Sequence, residues 1–313
     1  IRARKDMAIA ASLILPNSLM PEFEMQWFHR VMCNEFNDLV FGSSKKVMNF
    51  IPPQNGESTI GTEFLAAFSL GVNPNTRIAI ASYSSTMAQK FIRNIKVIMT
   101  SEIYKKVFPN TRLKEKGIRE QKDGVNNADY FEVVGARGYV MGVGVQGALT
   151  GNPVDLLLFD DPFRDRNEAE SKTMRESVWS WWMSAAEMRL TATSKVAMTF
   201  TRWTEDDPAG RILNPNSKYY DKEEASQYRV IAIQGLKESK KSLDCAIDVD
   251  DPREVGESLW EEKHPRKKYE RISRIEPRIF NALIQQRPTS EAGNIFNKDH
   301  FNFFKNHKKV HKK

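Results

Sequence analysis

VDLLLFDDPFRDRNEAE, residues Val154 to Glu170, is an apolar run that ends abruptly in two adjacent carboxylates and a proline. Val154, Leu156, Leu157, Leu158 and Phe159 have strand length and almost no polar interruption, which predicts a strand buried on both faces of a parallel sheet. Ligands of parallel sheets bind at the carboxyl ends of the strands. Asp160 and Asp161 are therefore expected at that edge, where a divalent metal and a phosphate can meet them, and Pro162 stops the strand. Just downstream, Asn167 and Glu170 have the spacing of an N-cap and N3 pair opening a helix to about Leu190. Met174, Val178, Trp181, Trp182, Ala185 and Met188 share its apolar stripe, and the tryptophans read as core.

The 313 residues are 40% hydrophobic, enough for one large domain with or without a small appendage, and disorder is not the expected state. Lys plus Arg exceed Asp plus Glu by 47 to 40, giving a net charge of +7 and a pI near 9.2. That balance suits a polyanionic partner such as nucleic acid and equally suits an ordinary basic protein. Two cysteines, Cys33 and Cys245, exclude a disulfide framework and a cysteine-rich zinc site, and fit a reducing cytosol. No apolar run reaches the roughly 18 residues of a membrane span. The opening, IRARKDMAIAASLILPNSLMPEF, is basic and then apolar, but without an initiator Met or a small-residue cleavage pattern it reads as the start of a fragment rather than a secretory signal.

Working outward, further strands are expected at Lys46 to Phe50, Arg77 to Tyr83, Tyr130 to Val134, Lys195 to Thr201 and Tyr228 to Ile233. Helices are expected from about Pro21 to Asp38, Ser58 to Leu70, Ser85 to Tyr104 and Glu205 to Leu213. Gln26, Trp27 and His29 lie on the first of these and read as one core aromatic and two surface polar groups, with contact to a nucleotide base as the alternative. Residues 123–129 read as a polar turn. Gly135 to Gly151 is a glycine-rich loop holding a single arginine, Arg137, placed to reach a phosphate on this subunit or a neighbour. From about Lys237 strands give way to helices near Arg266 to Ile275 and Pro277 to Gln286, the pattern of a small appended subdomain. Asp248, Asp250 and Asp251 lack the rest of a calcium-loop spacing and read as a solvated acidic loop. The tail, FNFFKNHKKVHKK, is basic.

Between the strand at Lys46 and the helix at Ser58 lies IPPQNGESTIG, Ile51 to Gly61, in the place of a phosphate-binding loop. Such a loop needs a glycine for close backbone approach, helix amides facing the anion, a lysine on the β and γ phosphates, and a Ser or Thr on Mg²⁺. Gly56, Ser58 and Thr59 fit. Glu57 stands where the lysine belongs, and Ile51 where the first glycine of the common pattern would be.

Four pieces in order, PPQNGES at Pro52 to Ser58, GVGVQGALTGNPVDLLLFDDP at Gly142 to Pro162, FTRWTEDDPAGRIL at Phe200 to Leu213, and LWEEKHP followed by NALIQQRPTSEAGNIF at Leu259 to Phe296, give the chain a resemblance to the ATPase domain of tailed-bacteriophage terminase large subunits, the motors that package DNA into procapsids. The resemblance implies an α/β fold: a RecA-like P-loop (ASCE) ATPase core with a mostly parallel central sheet flanked by helices, plus a small lid subdomain. It divides the chain into an N-terminal arm and helix (1–45), the core (46–236), the lid (237–292) and a linker (293–313) toward a nuclease domain of RNase H type that follows in that family. It implies ATP and Mg²⁺ as cofactors, double-stranded DNA, the terminase small subunit and the portal protein as partners, a homo-oligomeric ring, by resemblance pentameric, no membrane, and the host cytoplasm as the setting.

Carried over to this sequence, Asp160 resembles the Walker B aspartate on Mg²⁺, with Ser58 or Thr59 beside it, and Asp161 takes the place of the glutamate that orients the attacking water. Pro53, Gln54, Asn55, Gly56 and Glu57 line the nucleotide, while Gln26 and Trp27 approach the adenine. Thr201 and Arg202 match a motif that couples hydrolysis to movement, and Arg137 is the candidate arginine finger acting in trans, with Arg202 as the alternative. Glu57 is the departure. A carboxylate near a triphosphate costs roughly 4 kcal/mol for each unit-charge pair about 4 Å apart at an effective dielectric of about 20. An engineered change, a natural variant rescued by Lys45, Lys46 or an arginine, and a degenerate motor all account for it, so a catalytically impaired nucleotide- or DNA-binding assembly module stands as the alternative function.

Overall fold

The computed structural model describes residues 1–114, 125–149, 151 and 153–289. The expected linker, the basic tail and part of the polar turn at 123–129 lie outside the described residues.

Seven strands form one sheet: β1 (Lys46–Phe50), β2 (Arg77–Ser82), β3 (Tyr130–Glu132), β4 (Tyr139–Gly144), β5 (Leu156–Asp160), β6 (Lys195–Thr199) and β7 (Tyr228–Ala232). Their order is β3-β4-β2-β5-β6-β1-β7, and every pair is parallel except β3 with β4. β1, β5 and β6 are buried almost throughout, as continuous apolar runs in a doubly covered parallel sheet require. The helices are α1 (Met7–Ile14), α2 (Trp27–Phe41), α3 (Leu65–Val72), α4 (Ser85–Thr100), α5 (Glu102–Val107), α6 (Arg166–Glu170), α7 (Lys172–Trp181), α8 (Pro208–Leu213), α9 (Lys222–Ser226), α10 (Arg266–Ile275) and α11 (Pro277–Ile279), the last running on into a wide helical turn, Phe280–Ile284.

Two cores lie on opposite faces of the sheet. One gathers α1, α2, α3 and α4 around Phe36, Phe64, Phe68 and Ile95. The other stacks Phe159 on Trp182, with ring centroids 5.4 Å apart, beside Trp181, Phe50 and Phe200. The tryptophans are core, as their stripe predicts. A third, small cluster of Tyr269, Phe280 and Ile284, joined by Leu236, Ile272 and Leu283, holds the C-terminal helices together.

Two expectations change. The glycine-rich stretch is not only loop: it contains β4, and Gly142 is there for close packing, because a Cβ at that position would meet Ile92 at 3.0 Å and Ala88 at 3.1 Å on α4. Asn167 and Glu170 do not cap a helix. Asp165 caps α6 by accepting from the Glu168 N–H, and Ser171 caps α7 by accepting from the Met174 N–H, so two caps break one expected helix into two. Asp251 and Asp248 pair with Arg253 and Lys241, and among the described residues no three acidic, His or Cys side chains are grouped to hold a metal ion by themselves.

Candidate functional site

β6 lies between β1 and β5, and its register brings Asn49, Thr199 and Asp160 into one row across three strands at the carboxyl edge. The loop after β1 and the carboxylates after β5 therefore face each other over the end of β6. Positive φ at Gln54 (66°) and Gly56 (83°) turns the loop sharply before the helix that begins near Thr59. Inside the loop the Asn55 amide donates to the carbonyls of Pro52 at 2.9 Å and Pro53 at 3.3 Å.

Asp160 is fully buried. Its Oδ1 accepts from the Ser58 hydroxyl at 3.1 Å and its Oδ2 from the Thr62 hydroxyl at 2.5 Å. Burial holds its pKa well above the usual carboxylate range; the charges of Asp161 and Glu57 push the same way and the two hydroxyls oppose them. Of the two hydroxyls expected there, it is Ser58 rather than Thr59 that meets the carboxylate. Thr62 was not foreseen, although it lies four residues from Ser58, one helical turn along the same face. Asp161 sits in a left-handed backbone conformation, φ 39°. Its Oδ1 accepts the Thr201 N–H at 3.0 Å, its carbonyl accepts the Tyr83 N–H at 2.9 Å, and burial pushes its pKa up to about 6. Asp160 is thus locked and Asp161 partly open to the edge.

Glu57 occupies its own loop. Its Oε2 accepts the Asn55 N–H at 2.9 Å and its Oε1 the Gln54 N–H at 3.2 Å, so these two amides, placed where such a loop would present them to an anion, hold the side chain's carboxylate. Burial, with the neighbouring Asp161 charge adding to it, pushes the Glu57 pKa up to about 7. Lys45 and Lys46 do not offset the charge: both stand at the opposite end of β1, Lys45 on the Ala192 carbonyl and Lys46 paired with Glu224.

Within one chain, neither arginine reaches the carboxylates after β5. Arg137 is exposed on the turn before β4, at the amino edge of the sheet, where its charge bears on Asp155. Five residues of β5, about 16 Å, separate Asp155 from Asp160, so Arg137 does not reach a phosphate on its own subunit. Arg202 is 4% exposed, bonded to Asp207 at 2.5 Å and stacked over the Phe50 ring at 5.0 Å. Its guanidinium braces the Asp207 cap of α8 and is not presented to a neighbour.

His29, expected at the surface, is buried. Its Nδ1 accepts the Gln26 N–H at 3.1 Å, which fixes the proton on Nε2, and Nε2–H donates to the Asn55 carbonyl at 2.7 Å. Phe23 stacks on the ring and Trp260 meets it edge-on, while Arg253 lies over Trp27 at 5.4 Å. Gln26 is thereby tied to the phosphate loop through one imidazole. Burial lowers the His29 pKa to about 4. Because the unfolded chain takes up this proton near pH 6.5 and the folded one only near 4, stability contributed by neutral His29 is full above about 6.5 and falls by about 1.4 kcal/mol per unit on acidification through that window. Denaturant titrations at pH 7 and pH 5 are expected to show a smaller difference in His29→Gln than in the parent; an unchanged difference would contradict this placement.

The family model described as terminase large subunit, T4-like-virus type, N-terminal, matches residues 48–303. No curated protein sequence matches the chain. Among solved structures, the large terminase of bacteriophage HK97 superposes with a TM-score of 0.53 at 14% identity, covering 91% of this chain and 55% of that one. The large terminase ATPase domain of Thermus phage P74-26, in a mutant form, does so with a TM-score of 0.51 at 14% identity, covering 86% and 95%. At that identity the two structures show a shared fold.

Proposed function

Because the chain belongs to the terminase large subunit family, T4-like-virus type, and matches its N-terminal part, we propose that it is the ATP-hydrolysing motor domain that drives double-stranded DNA into a procapsid. The arrangement of Ser58, Asp160, Asp161 and Thr201 over three adjacent strands carries this reading. Ser58 and Asp160 fit a magnesium ion: a hydroxyl and a carboxylate already in contact, in a site whose crowded carboxylates a cation relieves. Bound there, the ion neutralises phosphate charge and orients the triphosphate. Asp161, aimed by the Thr201 N–H, accepts a hydrogen bond from the attacking water and aligns it in line with the γ-phosphorus. The loop around Gly56 approaches the phosphates, and Gln26 and Trp27 flank the base. Working with DNA, a ring of like subunits, a small subunit and a portal protein in the host cytoplasm belongs to the same proposal.

Glu57 favours a second reading, an assembly or DNA-binding module with little turnover, because the amides that should cradle phosphate hold a carboxylate. Titrating labelled ATP with Mg²⁺ into the purified chain separates the two. Saturable binding with turnover supports the motor; no binding up to millimolar nucleotide supports the module.

A further inference from the structure

The helix α10 and the residues just before it carry a run of positive charge. Between Lys263 and Arg274 six Lys and Arg residues stand against a single glutamate, in a chain whose net charge is only +7. Three of the six are engaged locally: Arg266 pairs with Glu270 at 2.6 Å, Lys263 lies over Trp260, and Lys268 contacts His264. Lys267, Arg271 and Arg274 are exposed, and no carboxylate among the described residues pairs with them. Their spacing of four and three residues puts them on one face of α10, along about 10 Å of its axis. Tyr269 and Ile272 occupy the opposite face and pack into the small C-terminal cluster.

That inner face is linked to the phosphate loop through Trp260 and His29. Tyr269, 2% exposed, stacks on His264 with ring centroids 5.9 Å apart; the His264 N–H donates to the Trp260 carbonyl at 2.7 Å, Trp260 meets the His29 ring edge-on, and His29 donates to the Asn55 carbonyl at 2.7 Å. One short helix therefore carries three unpaired cations on its outer side and connects to the loop on its inner side.

We propose that the outer face of α10 is a docking surface for the phosphate backbone of duplex DNA, and that through Tyr269 and His264 the same helix passes DNA contact to the phosphate loop. The second half of the proposal rests on the motor reading. The face offers three cations along about 10 Å of helix and no aromatic ring, since Tyr269 is turned inward. It thus suits the rail of a duplex rather than the splayed bases of a single strand, which need stacking partners. Contacts of this kind are independent of sequence and sensitive to salt.

The test uses the full 313-residue chain and a triple variant, Lys267→Glu, Arg271→Glu and Arg274→Glu, with matching thermal melts as the control for folding. Anisotropy of a labelled 30-base-pair duplex is followed over a salt series, and ATP turnover is measured with and without DNA. Each lost phosphate contact lowers the slope of log affinity against log salt by about 0.9, so the variant is expected to lose about 2.7 from that slope and at least ten-fold in affinity. Its basal ATP turnover should equal the parent's and its DNA stimulation should vanish. Unchanged slope and affinity, tighter parental binding to single strands than to duplex, or no duplex binding by a parent that hydrolyses ATP each overturns the surface. If neither protein hydrolyses ATP and the slope still falls, the surface stands and the motor reading fails.

Discussion

Replacing Glu57 with lysine should tighten binding of Mg²⁺ and ATP at least a hundred-fold. The present side chain competes with phosphate twice, by charge and by holding the Gln54 and Asn55 amides. With its pKa pushed up to about 7, Glu57 is only partly ionised at neutral pH, so the change to lysine removes part of one repulsion and adds one attraction, each roughly 4 kcal/mol for a full charge pair at contact distance; solvent at the partly open loop leaves a fraction of that sum, and a hundred-fold change needs about 2.7 kcal/mol. Glu57→Gln, which keeps the shape and removes the charge, should fall between the two. Isothermal titration of the three proteins decides the matter, and equal affinities would mean that the loop does not meet the phosphates.

Asp161→Asn should lower the rate of ATP hydrolysis by two to four orders of magnitude, the usual contribution of a positioned base or water-orienting group, while leaving ATP affinity within a few-fold. The substitution is conformationally mild. Asn tolerates the left-handed backbone at this position, φ 39°, as well as Asp does, and its side-chain oxygen can still accept the Thr201 N–H. What disappears is the anionic oxygen that draws the water into line. Single-turnover kinetics in the Glu57→Lys background gives the test its widest range, and robust turnover there would remove Asp161 from the reaction.

The elements with one dominant local signal were readable from sequence. The apolar run into Asp160 gave β5 its place and its burial, the short strand at Lys46 and the apolar one at Arg77 lie where they are expected, and α10 spans Arg266–Ile275 as expected. Misreadings arose where a decision depends on partners distant in sequence. β4 hides in glycines because their task, letting α4 approach, is invisible until α4 is in position. Arg137 looked near the site because it precedes β5 closely, yet strand direction puts that turn at the far edge. The sequence places His29 at the surface because nothing local marks Asn55 as its partner. Glu57 could be recognised as the wrong residue for the loop, but its capture of the loop's own amides is a backbone fact no residue pattern carries.

The aromatic packing around His29 and Phe159 also gives the molecule two optical reporters at separate depths. Trp181 and Trp182 lie against Phe159, directly behind Asp160, in the dry interior, whereas Trp27 and Trp260 border the loop, one beneath the Arg253 guanidinium and the other edge-on to an imidazole. With Trp179 and Trp203 replaced by phenylalanine, ligand arriving at the loop is expected to change the emission of the second pair more than that of the first, so intrinsic fluorescence can follow occupancy of the site without an added dye.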